Sequence, residues 1–267
     1  MNKLSLVQEP LAKLAVWKFT SCDGCQLSLL DCEEELMSLC QIVQIASFAE
    51  LTKQQVEGPY DISLIEGSIT TKRDEELISL VRKNSRLLVT IGACATSGGI
   101  QALRNFANIE EYKKIVYATP EYINTLSTST AISQHVHVDF ELQGCPINKY
   151  QLLDVIKSLL MKKKPSIPSH SVCTECKMKG NICVSVAHGI PCLGPVTHAG
   201  CGALCPTYQR GCYGCFGPKE EATPLALTRW WELEMHTNPE EIKRLLSNFN
   251  CAAQEFQKAR EHYERGK

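Results

Sequence analysis

The C-terminal part of this chain carries eight of its fifteen cysteines in one short segment. In chain order they are Cys173, Cys176, Cys183, Cys192, Cys201, Cys205, Cys212 and Cys215. Eight thiols make two complete sets of four, and four thiolates are the ligand set of a 4Fe-4S cluster. The segment therefore predicts metal binding, with iron and sulfide as the favoured chemistry.

Four more cysteines lie far earlier, each directly after a predicted strand. Cys22 and Cys25 form a Cys-x-x-Cys motif after the first strand, Cys94 follows the fourth, and Cys145 follows the last. The carboxyl ends of parallel strands open onto one crevice, so these thiols can meet although they are distant in sequence. They predict a third four-cysteine site.

Glycines beside these cysteines favour the same chemistry. An iron-sulfur cluster carries negative charge, and glycine lets the backbone approach so that N–H groups point at sulfur. The glycines concerned are Gly24, Gly92 and Gly144 in the early group, and Gly200, Gly202, Gly211, Gly214 and Gly217 in the late group.

Zinc and disulfides are the other uses of clustered cysteines. Structural zinc sites usually pair two Cys-x-x-Cys motifs about 15–20 residues apart. The motifs that begin at Cys173 and Cys212 lie further apart, with four more thiols between them. Disulfide scaffolds are usually small and secreted, unlike this chain of 267 residues. A zinc-stabilised interaction protein stays open as the less favoured alternative.

The elements that must position the early thiols follow an α/β pattern. Short apolar runs separated by helical periodicity predict a parallel sheet with crossover helices. The predicted strands are 14–19, 42–48, 61–67, 86–93, 114–119 and 135–140, and the predicted helices are 25–40, 73–83, 148–161 and 239–263. A basic, proline-containing linker is predicted at 162–170, after which cysteine, glycine and proline dominate.

Composition excludes several classes of partner. Lys and Arg total 28 and Asp and Glu total 29, so the chain has no net positive charge that would attract nucleic acid or acidic lipid. No run approaches the roughly eighteen apolar residues of a membrane span. The first residues lack the architecture of a signal peptide. We therefore expect a cytoplasmic protein whose thiols stay reduced and free to bind metal.

Several motifs occur in a fixed order along most of the chain. They are Cys22-x-x-Cys25, Glu66-Gly67-Ser68, Gly92-x-Cys94, Gly144-Cys145-Pro146, Cys192-x-Gly194-Pro195 and Gly211-Cys212-x-x-Cys215. Together they resemble the small, electron-transferring subunit of NiFe hydrogenases, in particular the cytoplasmic hydrogenases and sulfhydrogenases of archaea and bacteria. Each motif alone is weak, but their joint order and placement are specific.

The resemblance implies two domains and three 4Fe-4S clusters. Residues 1–163 would form a flavodoxin-like domain with the proximal cluster, and residues 164–267 a loop-rich iron-sulfur domain with the medial and distal clusters and C-terminal helices. It assigns Cys22, Cys25, Cys94 and Cys145 to the proximal set, Cys173, Cys176, Cys183 and Cys192 to the distal set, and Cys201, Cys205, Cys212 and Cys215 to the medial set.

Two positions depart from many relatives of that family. Cys173 stands where histidine is often the first distal ligand, and Cys205 stands where proline accompanies a 3Fe-4S medial cluster. Four cysteines imply 4Fe-4S at both sites. A thiolate in place of neutral imidazole adds negative charge, which lowers the potential of a cluster.

The function implied by the resemblance is electron relay. Electrons released from hydrogen in a separate NiFe large subunit would pass through the three clusters to a flavin- or iron-sulfur-containing subunit near the distal cluster. No catalytic residue is expected in this chain, and the final acceptor stays open among NADP, NAD, deazaflavin, ferredoxin, polysulfide and a heterodisulfide-reducing partner.

The second hypothesis is a subunit of another iron-sulfur complex, such as a relative of the proton-pumping quinone oxidoreductases. That family commonly carries adjacent cysteines and lacks the eight-cysteine extension.

A few residues have two interpretations from sequence alone. Glu66 could orient backbone groups near the proximal cluster or assist proton exchange across the interface with the large subunit. Its other interpretation is an N-cap of the next helix. Three cysteines remain outside the ligand sets, namely Cys32, Cys40 and Cys251, and they are expected to be small packing residues. Trp230 and Trp231 either anchor the large subunit or pack within the second domain.

Overall fold

A parallel sheet of five strands organises the first half of the chain in the computed structural model, which describes residues 11–265. The prediction that residues 1–19 lack a signal peptide falls partly on residues 1–10, which lie outside the described residues. The strands are β1 (Ala12–Lys18), β2 (Val43–Phe48), β3 (Tyr60–Glu66), β4 (Ser85–Ile91) and β5 (Phe140–Leu142). Their order is β2-β1-β3-β4-β5, which is the flavodoxin-like, doubly wound order. The predicted α/β fold is confirmed.

Helices cover both faces of this sheet. They are α1 (Gly24–Leu30), α2 (Glu34–Leu39), α3 (Lys72–Lys83), α4 (Gly92–Ser97), α5 (Ile109–Val116) and α6 (Lys149–Leu160), with 3-10 turns at Ile100–Phe106, Pro120–Tyr122 and Ile132–Gln134. Leu29, Leu36 and Leu153 pack with Val16 and Leu64 on one face. On the other face, Ile78 and Val81 of α3 pack with Phe19, Ile65 and Leu88. Burial on both faces explains the nearly continuous apolar runs of these strands.

The strand predicted at 114–119 is wrong. Residues 109–116 form α5, which begins at the N-cap Asn108, whose side chain accepts the backbone N–H of Glu110. Acidic residues in its first turn and Lys113 in its last suit the helix dipole, and Lys113 pairs with Glu110. The N-cap and the favourable charges therefore stabilise a helix here, although the apolar residues that follow favoured a strand. Ile115 and Val116 lie exposed.

Other boundaries also differ from prediction. The strand expected at 135–140 begins only at Phe140, because residues 132–134 form a 3-10 turn and the Asp139 carboxylate takes the Leu88 N–H. The helix expected at 25–40 is divided into α1 and α2, with Glu33 at φ +41° between them.

The second half of the chain builds its own small cores. Its helices are α7 (Val172–Met178), α8 (Val184–His188), α9 (Leu204–Thr207), α10 (Pro224–Glu234), α11 (Pro239–Leu246) and α12 (Gln254–Arg265), with a 3-10 turn at Gly194–Val196. The last two helices replace the continuous helix expected at 239–263. Trp231 is the largest fully buried side chain here and packs with Ile242 and Phe256. Within residues 11–265, no helix is both long and apolar enough to cross a membrane.

Candidate metal centres

The proximal set gathers at the carboxyl end of the sheet. Cys22 and Cys25 follow β1, Cys94 lies in α4 after β4, and Cys145 follows β5. Burial raises the pKa of Cys25, and the nearby charges of Glu66, Cys94 and Cys145 raise it further. Burial also raises the pKa of Cys145 to about 11, with added contributions from Cys94 and Cys22. These interactions show that the four thiols lie near one another, although within residues 11–265 no three His, Cys, Asp or Glu side chains are grouped closely enough to hold a single metal ion.

Two glycines bring the backbone against these sulfurs. Gly92 has φ +87°, and a Cβ added there would overlap the Cys25 sulfur. Gly99 has φ +67°, and an added Cβ would lie 2.6 Å from Cys94 Sγ and 2.9 Å from Cys94 Cα. Both positions need a left-handed backbone and have no room for a side chain. Gly92 was predicted from the sequence, whereas Gly99, which follows the cysteine by five residues, was not.

Glu66 holds the beginning of α1 against the end of β3. Its carboxylate accepts the backbone N–H of Cys25 at 2.9 Å and the Gln26 side-chain N–H at 2.6 Å. Burial raises the pKa of Glu66, while the hydrogen bonds from Gln26 and Cys25 oppose that rise. The alternative role as a cap of the next helix is wrong, because Thr71 and Asp74 form the capping box of α3.

The medial set lines a cavity of about 210 Å³ between the two halves of the chain. Cys201, Cys205, Cys212 and Cys215 all face this cavity, together with Cys145 of the proximal set. Burial raises the pKa of Cys215 to about 12, and the charges of Cys201 and Cys145 add to it. The backbone N–H of Gly214 points at Cys212 Sγ, 3.4 Å away. Four thiols around a cavity, with N–H groups aimed at sulfur, fit an iron-sulfur cluster.

The distal set lies on and beside the helices α7 and α8. Cys173 and Cys176 belong to α7, and Cys183 is the N-cap of α8. Burial raises the pKa of Cys173 to about 11, with further increases from Cys192, Cys176 and Cys183. The Asn181 side chain donates to Cys176 Sγ at 3.7 Å. A Cβ added at Gly194 would lie 3.3 Å from Cys192 Sγ and 3.5 Å from Cys173 Sγ. Cys183 is exposed, so this set reaches the protein surface.

The three sets adjoin one another in space. Cys145 of the proximal set and Cys215 of the medial set interact electrostatically across the shared cavity. The backbone N–H of Cys212 in the medial set donates to Cys192 Sγ of the distal set at 3.1 Å. Cysteines of the medial set therefore adjoin cysteines of both other sets.

Glu175 is a residue at these sites that was not predicted from the sequence. It lies between the two cysteines of the first distal motif, and its carboxylate accepts the N–H groups of Gly200 at 3.0 Å and Ala203 at 3.2 Å. The carboxylate thus ties α7 to the loop that carries Cys201. The only indication of this role in the sequence was the position of Glu175 between Cys173 and Cys176.

Asn250 is a second residue that was not predicted, and it joins the two halves of the chain. Its side-chain oxygen accepts the Ser97 hydroxyl at 2.6 Å, and its N–H donates to the Gly214 carbonyl at 2.8 Å. Ser97 ends α4, which carries Cys94, whereas Gly214 lies between two medial cysteines. Nearby, the buried Arg260 guanidinium stacks on the Phe106 ring.

The residues with two interpretations have distinct environments. Cys32 and Cys251 are fully buried and Cys40 is partly exposed, so packing is confirmed for the first two. Trp231 is buried in the core of the second half and cannot anchor a partner, whereas Trp230 remains partly exposed.

Comparisons with known proteins identify the family of the chain. Residues 22–159, just over half of the chain, match the family described as NADH ubiquinone oxidoreductase, 20 Kd subunit. Sulfhydrogenase 2 subunit delta of Pyrococcus furiosus is 36% identical over 206 residues, covering 77% of this chain and 86% of that protein. A subunit of the F420-non-reducing hydrogenase of Methanocaldococcus jannaschii is 30% identical over 243 residues, with 80% of this chain and 84% of that protein covered. A solved structure of an NAD+-reducing NiFe hydrogenase in the H2-reduced state matches with a TM-score of 0.55 and 27% identity, over 59% of this chain and 96% of that one.

Proposed function

The chain belongs to the family of the NADH ubiquinone oxidoreductase 20 kDa subunit, and we propose that within it the chain is the electron-relay small subunit of a NiFe hydrogenase. The observation that supports the proposal is that Cys215 lies near Cys145 and that the Cys212 N–H donates to Cys192 Sγ, so that thiols from all three proposed sets adjoin. Relatives named as hydrogenase subunits support the choice of complex.

The extent of these matches favours a hydrogenase over a quinone oxidoreductase. The family match ends at residue 159, before the first cysteine of the eight-cysteine segment. The Pyrococcus furiosus subunit, by contrast, aligns over 77% of this chain. A subunit of a quinone oxidoreductase therefore accounts for less of the chain.

The proposed cofactors are three 4Fe-4S clusters. Cys22, Cys25, Cys94 and Cys145 would hold the proximal cluster, Cys201, Cys205, Cys212 and Cys215 the medial one, and Cys173, Cys176, Cys183 and Cys192 the distal one. When bound, these clusters supply one-electron transfer. Bond-breaking at hydrogen would belong to the large subunit, so we propose no catalytic residue in this chain.

The role of the chain's own residues is to hold and tune the sulfurs. N–H groups aimed at sulfur favour its negative charge, as Cys212 does for Cys192 and Gly214 for Cys212. Glu66 fixes the Cys25 backbone, and burial excludes water from Cys25 and Cys212.

The proposed organisation is two domains, residues 1–163 and 164–267. The sheet cores and the C-terminal core are separate clusters, which supports this division. The proposed partners are a NiFe large subunit and a flavin- or iron-sulfur-containing subunit near the distal set. The proposed location is the cytoplasm, where the fifteen free cysteines would stay reduced.

Anaerobic co-purification tests the proposal. The complex isolated with this chain should contain nickel, iron and acid-labile sulfide, and should reduce a viologen dye only when hydrogen is supplied. Cys22→Ser should abolish dye reduction, while Cys40→Ser, a change at a partly exposed cysteine outside the sets, should not. Absence of nickel together with absence of hydrogen-dependent reduction would refute the hydrogenase assignment. Stoichiometric zinc without sulfide would favour the zinc alternative instead.

A further inference from the structure

A buried arginine lies where the last helix meets the first half of the chain. Arg260 on α12 is 7% exposed, and its guanidinium carbon lies 3.2 Å from the centroid of the Phe106 ring. Phe106 ends the 3-10 turn Ile100–Phe106, which follows the helix that carries Cys94. The face of an aromatic ring attracts a cation. The α12 helix therefore brings a positive charge to the half of the chain that holds the proximal set.

This positive charge is only partly compensated. Nη2 of Arg260 lies 3.5 Å from Glu264 Oε1, and the Glu264 side chain is 45% exposed. The buried Nε of Arg260 has no hydrogen-bond partner among residues 11–265. A guanidinium keeps its proton in proteins, and water screens a half-exposed carboxylate. The charge of Arg260 therefore acts on the interior of the protein.

Cys251 lies between Arg260 and the proximal set. Its side chain is fully buried, and its Sγ lies 3.9 Å from the carbonyl oxygen of Gly99. Gly99 in turn approaches Cys94 so closely that an added Cβ would lie 2.6 Å from Cys94 Sγ. Burial raises the pKa of Cys251 to about 11, and the charge of Arg260 opposes that rise. Cys251 and Gly99 thus form a short path of contacts from Arg260 toward Cys94.

The charges nearest the proximal thiols are negative or paired. Burial raises the pKa of Cys94, and the charges of Cys22 and Glu66 raise it further. Lys18, at the end of β1, is 44% exposed and pairs with Asp23 at 2.5 Å. A buried cation acts through a lower dielectric constant than a surface charge, so Arg260 has the stronger influence per unit distance.

We propose that Arg260 raises the reduction potential of the proximal cluster. This proposal rests on the proposed function. When the proximal set holds its cluster, the gain of one electron adds one negative charge, and a nearby buried cation stabilises that reduced form most. A higher potential favours the entry of electrons from the large subunit. At an effective dielectric constant of about 20, one charge roughly 10–12 Å away changes a one-electron equilibrium by about tenfold.

Redox titration of the complete complex, followed by electron paramagnetic resonance, tests the proposal. The proximal signal is the one that Cys22→Ser lacks. In Arg260→Gln its midpoint potential should fall by about 59 mV, which is tenfold for one electron, and by more than the other two signals. Arg260→Lys keeps the charge and should restore most of the potential.

A matched control lies on the same helix. Arg265 is 82% exposed and pairs with Glu261, so Arg265→Gln makes the same change in net charge at the surface. It should leave the proximal potential unchanged, because water screens an exposed charge.

A second variant does not disturb the buried side chain. Glu264→Gln removes the partly exposed counter-charge of Arg260 and should therefore retain the fold. It should raise the proximal potential, by the equivalent of about two- to threefold for one electron.

The outcomes separate this proposal from the proposed function. Equal proximal potentials in Arg260→Gln and Arg265→Gln, at full iron content, would refute a role for the buried charge. The same holds if Arg260→Lys behaves like Arg260→Gln. Where Arg260→Gln loses iron, an unchanged or lower potential in Glu264→Gln refutes the proposal. A failure of the hydrogenase assignment is seen in the unmodified complex, which would then lack nickel and hydrogen-dependent viologen reduction.

Discussion

Replacing Gly99 by alanine should remove the proximal cluster without unfolding the protein. Gly99 lies at φ +67°, and an alanine Cβ would lie 2.6 Å from Cys94 Sγ, 2.9 Å from Cys94 Cα and 2.8 Å from Gln101 Oε1. One of these neighbours is backbone, so the clash cannot be relieved by rotating a flexible side chain. Either Cys94 or the loop must move.

Two costs add at this position. The left-handed backbone costs a residue with a Cβ about 1–2 kcal/mol. Overpacking against the thiol and backbone of Cys94 adds about 1–3 kcal/mol. Gly180→Ala and Gly189→Ala are matched controls, because they have φ +71° and +63° with no atom within 4 Å of an added Cβ. The two control variants should therefore be destabilised only by the left-handed backbone, by about 1–2 kcal/mol.

Metal analysis and spectroscopy measure the difference. The control variants should keep about twelve iron atoms per chain, whereas Gly99→Ala should lose about four of them. The electron paramagnetic resonance spectrum of the reduced protein should lose one component in Gly99→Ala only. Full iron content in Gly99→Ala, or equal loss in all three variants, would show that Cys94 is not held as a ligand by this close approach.

Three further predictions test other parts of the arrangement. Cys205→Pro should convert the medial cluster to 3Fe-4S, visible by electron paramagnetic resonance of the oxidised protein, and an unchanged spectrum would contradict the assignment of Cys205. Asn250→Ala should lower the free energy of unfolding in denaturant by about 1–3 kcal/mol, because the buried Ser97 hydroxyl and the Gly214 carbonyl each lose one of their two hydrogen bonds, whereas the exposed Asn84→Ala should have a small effect. Burial raises the pKa of Cys145 and Cys173 to about 11, so these thiols are protonated near neutral pH without metal and must release protons on ligation. The yield of cluster reconstitution in the metal-free chain should therefore rise between about pH 7 and pH 9. A yield that does not change with pH would contradict this.

The sequence predicted the central strands well because local and tertiary signals agree there. The apolar runs that became β1, β3 and β4 are buried on both sides, so an uninterrupted pattern had one consistent explanation. The thiols after these strands could then be placed together from topology alone. The Cys-x-x-Cys motif and the cysteine after β4 needed no further information.

Other features depend on contacts that a linear pattern does not contain. The break between α11 and α12 sets the buried Asn250 against Ser97 and Gly214, and both partners are remote in sequence. At α5, local capping and charge outweighed an apolar run that resembled a strand. Glu175 looked like a solvated acid within a cysteine motif, and only its approach to the loop of Cys201 gives it a role.

Cysteines that adjoin in space are not always neighbours along the chain. The medial cysteines come last in the sequence, yet Cys215 interacts with Cys145 and the Cys212 N–H donates to Cys192. Backbone bridges between Ser171 and His198 and between Thr197 and Pro218 bring the two ends of this cysteine-rich segment together. A lesion in the medial set should therefore interrupt exchange between the other two, whereas a lesion in the distal set leaves the proximal and medial sets connected.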